Sequence, residues 1–222
     1  MNDIYKILLA AAVGFLLSPL TEILKSRLSA RQQKSKLETK LKTFETILCR
    51  AIPSITETIK NRENFIRSPE KYVGTLFITP NFIFPKIESN IDNAYDMLSS
   101  SQQRGLLDLE SQAAHIKNML KKLHSIEDEC KSTIYRKVNI EKIITQESEI
   151  RDIEKEHYTR AIACEKAILY TAACMLGTFR RSINNDPSLP KDIDTIKNVS
   201  KELDINIDLN WWHQFRGQQS DA

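Results

Sequence analysis

Apolar residues in the first third of the chain recur with a single period. Leu37, Leu41, Phe44, Leu48, Ile52, Ile55 and Ile59, with Arg62 and Phe65 in the same register, follow one another at steps of three and four. That spacing keeps side chains on one face of an α-helix. Two further stripes share it. One runs through Leu109, Ala113, Ile116, Leu120, Leu123, Ile126, Cys130, Ile134 and Val138; the other through Ile150, Ile153, His157, Ala161, Cys164, Ile168, Ala172, Met175 and Phe179. Only five of the 222 residues are glycine, and Leu, Ile, Glu, Lys, Gln and Arg fill the spaces between the apolar positions, so local propensity agrees with the period. The fold class is all-α.

Breaks in the pattern divide the helices. Pro53 falls inside the first stripe, where a missing donor and a clash one turn back predict a kink or a division near Ala51 and Ile52. Residues 68–85 lose the period: SPEKYVGTLFITPNFIFP carries three prolines, one glycine and the apolar cluster Leu76, Phe77, Ile78, Phe82, Ile83 and Phe84. A loop this apolar is expected either to plug the end of the helices or to dock another chain. A short helix is expected from about Lys86 through Ile87, Ile91 and Leu98, followed by the turn-like SSSQQRG. The two long stripes match in length and meet around Asn139 to Ser148. They are read as an antiparallel pair within a four-helix-bundle-like body, with one continuous coiled coil as the alternative. After NNDPSLP, residues 191–203 suit one more helix, and the tail carries Trp211 and Trp212.

The N-terminus has a different character. Ile7 to Leu17 is uninterruptedly apolar, and from Ile4 through Thr21 the only charge is Lys6, so the segment just meets the roughly 20-residue spanning requirement. A cleaved signal peptide fits poorly, because only Ile7, Leu8 and Leu9 precede Ala10, Ala11 and Ala12. A buried helix of a soluble domain is the other alternative, since Pro19 and Glu22 shorten the run. Lys25, Arg27, Arg31, Lys34, Lys36, Lys40 and Lys42 then follow against the single acid Glu38. By the positive-inside rule the N-terminus lies outside and the rest of the chain is cytoplasmic. Lys25, Arg27, Arg31, Lys34 and Lys36 are candidate contacts for anionic lipid headgroups. Ala10, Gly14 and Ser18 recur every four residues, a small-residue spacing that lets membrane helices approach closely, so a homo-oligomer is expected.

Charge and chemistry narrow the function. The chain carries a net +3 while residues 25–42 alone carry +6, so the remainder is slightly acidic, and its nearly balanced charge is not the footprint of a nucleic-acid binder. Cys49, Cys130, Cys164 and Cys174 lack metal-ligand or redox-pair spacing and read as reduced core thiols. There is no glycine-rich phosphate loop, nucleophile elbow or zinc-protease helix. Glu154 and His157 form one Glu-x-x-His spacing, whereas di-iron bundles need two. His115 and His124 stand nine apart and pair with no nucleophile. Neither an enzyme nor a cofactor or metal is expected.

The organisation expected is a transmembrane anchor over 1–24, a basic juxtamembrane helix over 25–42, a helical bundle over 43–182 with its apolar loop at 68–85, and a C-terminal helix and tail over 183–222. The role expected is a membrane tether or scaffold that recruits a protein partner through Leu76, Phe77, Phe82, Phe84, Trp211 and Trp212. The alternative is a self-associating membrane effector, as in anti-phage or toxin systems, whose anchors cluster on a cytoplasmic signal.

Overall fold

The structure is a computed structural model that describes residues 2–71, 82, 95–144, 146–210 and 212, with only the backbone for residues 2–20, 71 and 96. Among these residues there are four α-helices and no strand: α1 (Asn2–Arg67), α2 (Ser100–Tyr135), α3 (Glu147–Asn184) and α4 (Asp192–Glu202). Short 3-10 turns span Pro69–Lys71 and Tyr95–Met97, and a π turn over Arg136–Ile140 extends α2.

The first stripe packs as its period predicts. Leu37, Leu41, Phe44, Leu48, Ile52, Ile55, Ile59, Arg62 and Phe65 are all buried. Pro53 does not divide the helix, which runs unbroken from Asn2 to Arg67. Between Thr21 and Lys36 no residue is buried, and Leu37 is the first to enter the core. The buried face of α1 therefore starts within the basic segment, because Lys36, Lys40 and Lys42 lie off the face that carries Leu37 and Leu41.

Helix α2 starts about two turns earlier than its stripe suggests. The residues read as a turn, SSSQQRG, are its N-cap and first turns. The Ser99 hydroxyl accepts from the Gln102 backbone N–H, and the Gln102 side chain accepts from the Ser99 N–H. That reciprocal capping box satisfies two donors that a helix start otherwise leaves unpaired.

Pairs along the helices fix their directions. Gln102 donates to the Ser182 carbonyl and Arg160 to Glu129, so α2 and α3 run antiparallel. Arg180 pairs with Glu45 and Lys166 with Glu63, so α1 and α3 are also antiparallel. Lys34 reaches the Met97 carbonyl and Arg62 reaches Glu127, which sets α1 and α2 parallel. Helix α3 is thus flanked by both others and by α4, and it is buried on nearly every side from Ala161 to Phe179. Over those nineteen positions the only charges are Glu165 and Lys166, as an encircled helix requires. Among the described residues it is the one helix long and apolar enough to cross a membrane, but 78% of that apolar window is buried inside the protein.

Two contacts seat the C-terminal part. Arg180 bridges Glu45 of α1 and Glu202 of α4. The Tyr170 hydroxyl donates to the Asp208 carbonyl, and the Trp212 ring lies 5.3 Å from that of Tyr170.

Candidate functional site

The residues with the clearest chemistry form two groups: a buried ionic cluster between the three long helices, and the exposed stalk of α1 next to the apolar N-terminus.

Arg62 is the centre of the first. It is 3% exposed, with Nη2 3.0 Å from Glu127 Oε1 and Nε 3.0 Å from Oε1 of the fully buried Glu165. The Nε contact is an ion pair out of line for a hydrogen bond. The guanidinium also lies 4.8 Å from the ring centroid of Tyr158, which meets Phe65 edge to face at 5.3 Å. One cation from α1 therefore faces an acid from α2, an acid from α3 and an aromatic face from α3. Burial pushes the Tyr158 hydroxyl up to about 12, with Glu154 adding to the shift, and raises the neighbouring Cys130 thiol to about 11.

Next to Tyr158 in α3 lies His157, buried, with Nδ1 2.8 Å from the Ile153 carbonyl and Nε2 3.9 Å from Glu129 Oε1. Glu129 is exposed and accepts from Arg160 at 2.9 Å, and that hydrogen bond holds its carboxyl below the usual carboxylate range. Burial and pairing on this scale fix helix register. Glu127 and Glu165 face Arg62 and Glu129 faces Arg160, and among the described residues no three His, Cys, Asp or Glu side chains converge as a metal site. No disulfide joins the four cysteines: Cys130, Cys164 and Cys174 are buried and Cys49 is half-buried.

The second group is the α1 stalk. Lys25, Arg27, Arg31 and Lys36 are exposed, while Lys34 is half-buried and its ammonium donates to the Met97 carbonyl at 3.4 Å. Four of the five headgroup candidates thus project into solvent, and Lys34 ties the stalk to the body. At 100° per residue, Arg27, Arg31 and Lys34 fall within about 60° of one another, with Lys25 and Lys36 on the opposite side. The cations form a collar around the helix rather than a single stripe. Ile23, Leu24 and Leu28 are exposed among them.

The remaining sequence candidates divide. Ala10, Gly14 and Ser18 lie on helical backbone, with only that backbone described, while Leu76, Phe77, Phe84 and Trp211 fall outside the described residues altogether. Phe82 is buried in the main core, and Trp212 is half-buried against it. The Phe82 ring is therefore covered by this chain's own core. The short helix expected from Lys86 falls on residues outside the description, apart from the 3-10 turn Tyr95–Met97 and buried Leu98.

Arg62 was visible as the one charge on an otherwise apolar stripe. Its partners were not, since Glu127 and Glu165 look like ordinary surface acids on their own helices. The signal for Glu165 lay in its surroundings, a carboxylate within a nearly charge-free run. Compared with known proteins, the chain matches no family, no curated protein and no solved structure.

Proposed function

We propose that the chain is a single-pass membrane protein, N-terminus outside, whose cytoplasmic helical bundle is held at the inner face as a tether or scaffold for a protein partner. The observation that supports this reading is the continuity of α1. The apolar segment, the basic collar and the first core helix are one uninterrupted helix, and of the sixteen residues Thr21 to Lys36, about 24 Å of rise, none is fully buried and only Ala30, Gln33 and Lys34 are half-buried. A stalk of that kind has a use if its upper end is fixed in a bilayer. The collar then stands at the headgroup level, where each basic residue contributes on the order of 1 kcal/mol of attraction to anionic lipid. An upright helix lets cations on opposite faces all reach that layer, which a helix lying flat would not.

Alkaline carbonate extraction of membranes from cells making the full chain tests this. The full chain is expected to stay in the membrane pellet, and a chain lacking residues 1–30 to be soluble and helical. Release of the full chain by carbonate would remove the anchor reading.

The self-associating effector is the second reading, supported by Leu24 and Leu28, which are 60% and 59% exposed just after the Ala10, Gly14 and Ser18 spacing. Apolar side chains there suit a second copy of α1 alongside. Crosslinking in membranes separates the two readings: Gly14→Leu is expected to abolish a clustered effector's activity and its crosslinked species, and to leave a simple tether unchanged.

A further inference from the structure

The end of the molecule opposite the α1 stalk is the reversal between α2 and α3. There α2 passes into the π turn Arg136–Ile140, and Lys142 adopts a left-handed conformation (φ 53°) before α3 begins at Glu147. One side of this tip is pinned. Ile144 is buried with Cys130 and Ile153, and Ile134, Val138 and Ile150 pack around them. The other side is bare: Tyr135, Ile140 and Ile143 are 62%, 66% and 67% exposed. Lys131, Arg136 and Lys142 stand exposed around these three, with Lys137 half-buried. The acid within this stretch, Glu141, is 3.4 Å from Arg136, and Glu147, in the first turn of α3, is held by Arg151.

We propose that this tip is a second lipid-contact surface, which inserts Ile140, Ile143 and Tyr135 into an anionic bilayer facing the one that α1 enters. Large apolar side chains ringed by lysine and arginine are the chemistry of interfacial membrane contact. The charge argues against a second copy of the same tip, since cations would meet cations. The groove beside the tip carries Asp128 along with Lys131 and Arg136, so its charge stays net positive. Size argues against a stable protein partner, which needs some 20–30 residues a side. A bilayer needs only a few anchoring side chains. The pinned underside matters too, because a preorganised tip loses little freedom on insertion.

The position of the tip gives this contact its consequence. From Thr21 to Arg62, and on from Glu127 to Ile140, the helical rise adds to about 80 Å, so an upright α1 carries the tip well clear of its own bilayer. The bridging of two membranes rests on the anchor reading above; the lipid affinity of the tip does not.

The test uses the full chain reconstituted into immobilised phosphatidylcholine liposomes and offered labelled free vesicles, either phosphatidylcholine alone or phosphatidylcholine with phosphatidylserine. Capture of the phosphatidylserine vesicles is expected, weakened by salt. It should drop at least about tenfold for Ile140→Glu with Ile143→Glu, and likewise for Lys131→Glu with Lys142→Glu. These side chains are exposed, so the melting curves of the variants should match the parent. Capture unaffected by both pairs, equal capture of neutral vesicles, or clustering of the proteoliposomes with one another instead would each overturn the proposal. Carbonate treatment of the same proteoliposomes reads the anchor separately. If the chain comes off, the tip is tested by co-flotation of the full chain with the phosphatidylserine vesicles: loss on Ile140→Glu with Ile143→Glu supports the proposal, and no change overturns it.

Discussion

Arg62, Glu127 and Glu165 show how unequal single residues are in this protein. Removing one member of a buried ion pair strands the other without water, at a cost of about 3–5 kcal/mol. Arg62→Met is therefore expected to lower stability by that amount, because Glu165 is fully buried. The double change Arg62→Met with Glu165→Leu should recover most of the loss, since Glu127 is 21% exposed and can hydrate. Urea denaturation of the two variants and the parent measures both. The pH dependence has a definite sign. Tyr158 and Cys130 hold their protons more tightly folded than unfolded: Tyr158 rises from 10.0 to about 12 and Cys130 from 9.0 to about 11, burial being the main cause. The stability that accompanies this is fully present below pH 9 and is lost as pH climbs through the folded values. Urea midpoints are thus expected to fall from about pH 9 upward, and less steeply in Tyr158→Phe with Cys130→Ala; an equal slope in that variant would assign the alkaline loss to other groups.

Between elements, one close approach is where α2 and α3 meet at Gly105. A Cβ built there would stand 2.2 Å from Ser182 Oγ and 3.5 Å from Ser182 Cβ. Only the hydroxyl is in the way. Gly105→Ala should therefore cost about 1–3 kcal/mol from overpacking, and Ser182→Ala in the same chain should relieve it, leaving an ordinary van der Waals contact. Thermal melts of the single and double variants decide this, and a double variant no more stable than Gly105→Ala would mean that the backbone contact itself is at fault. This glycine illustrates what local reading misses. In SSSQQRG it looks like turn punctuation, whereas it serves two packed helices, and the capping pair Ser99 and Gln102 was the available sign that a helix had already begun.

For the whole molecule, the division that matters falls at Leu37. Nothing between Thr21 and Lys36 is buried, so a chain lacking residues 1–30 is expected to unfold in urea with the same midpoint and slope as the full chain in detergent, within about 0.5 kcal/mol. A large loss of cooperativity would show that the apolar segment packs on the body. The sequence by itself determined the all-helical class, the three stripes with their inward faces and the exposed cations of the stalk. Helical period and the avoidance of buried charge are local properties of a chain. Only the tertiary structure decided that α3 is encircled, that α1 and α2 run parallel, that Arg62 meets acids from two other helices, and that Phe82 belongs to the core. These depend on which faces of distant segments meet, and a carboxylate destined for a buried guanidinium has the same local surroundings as one destined for water until the helices pack.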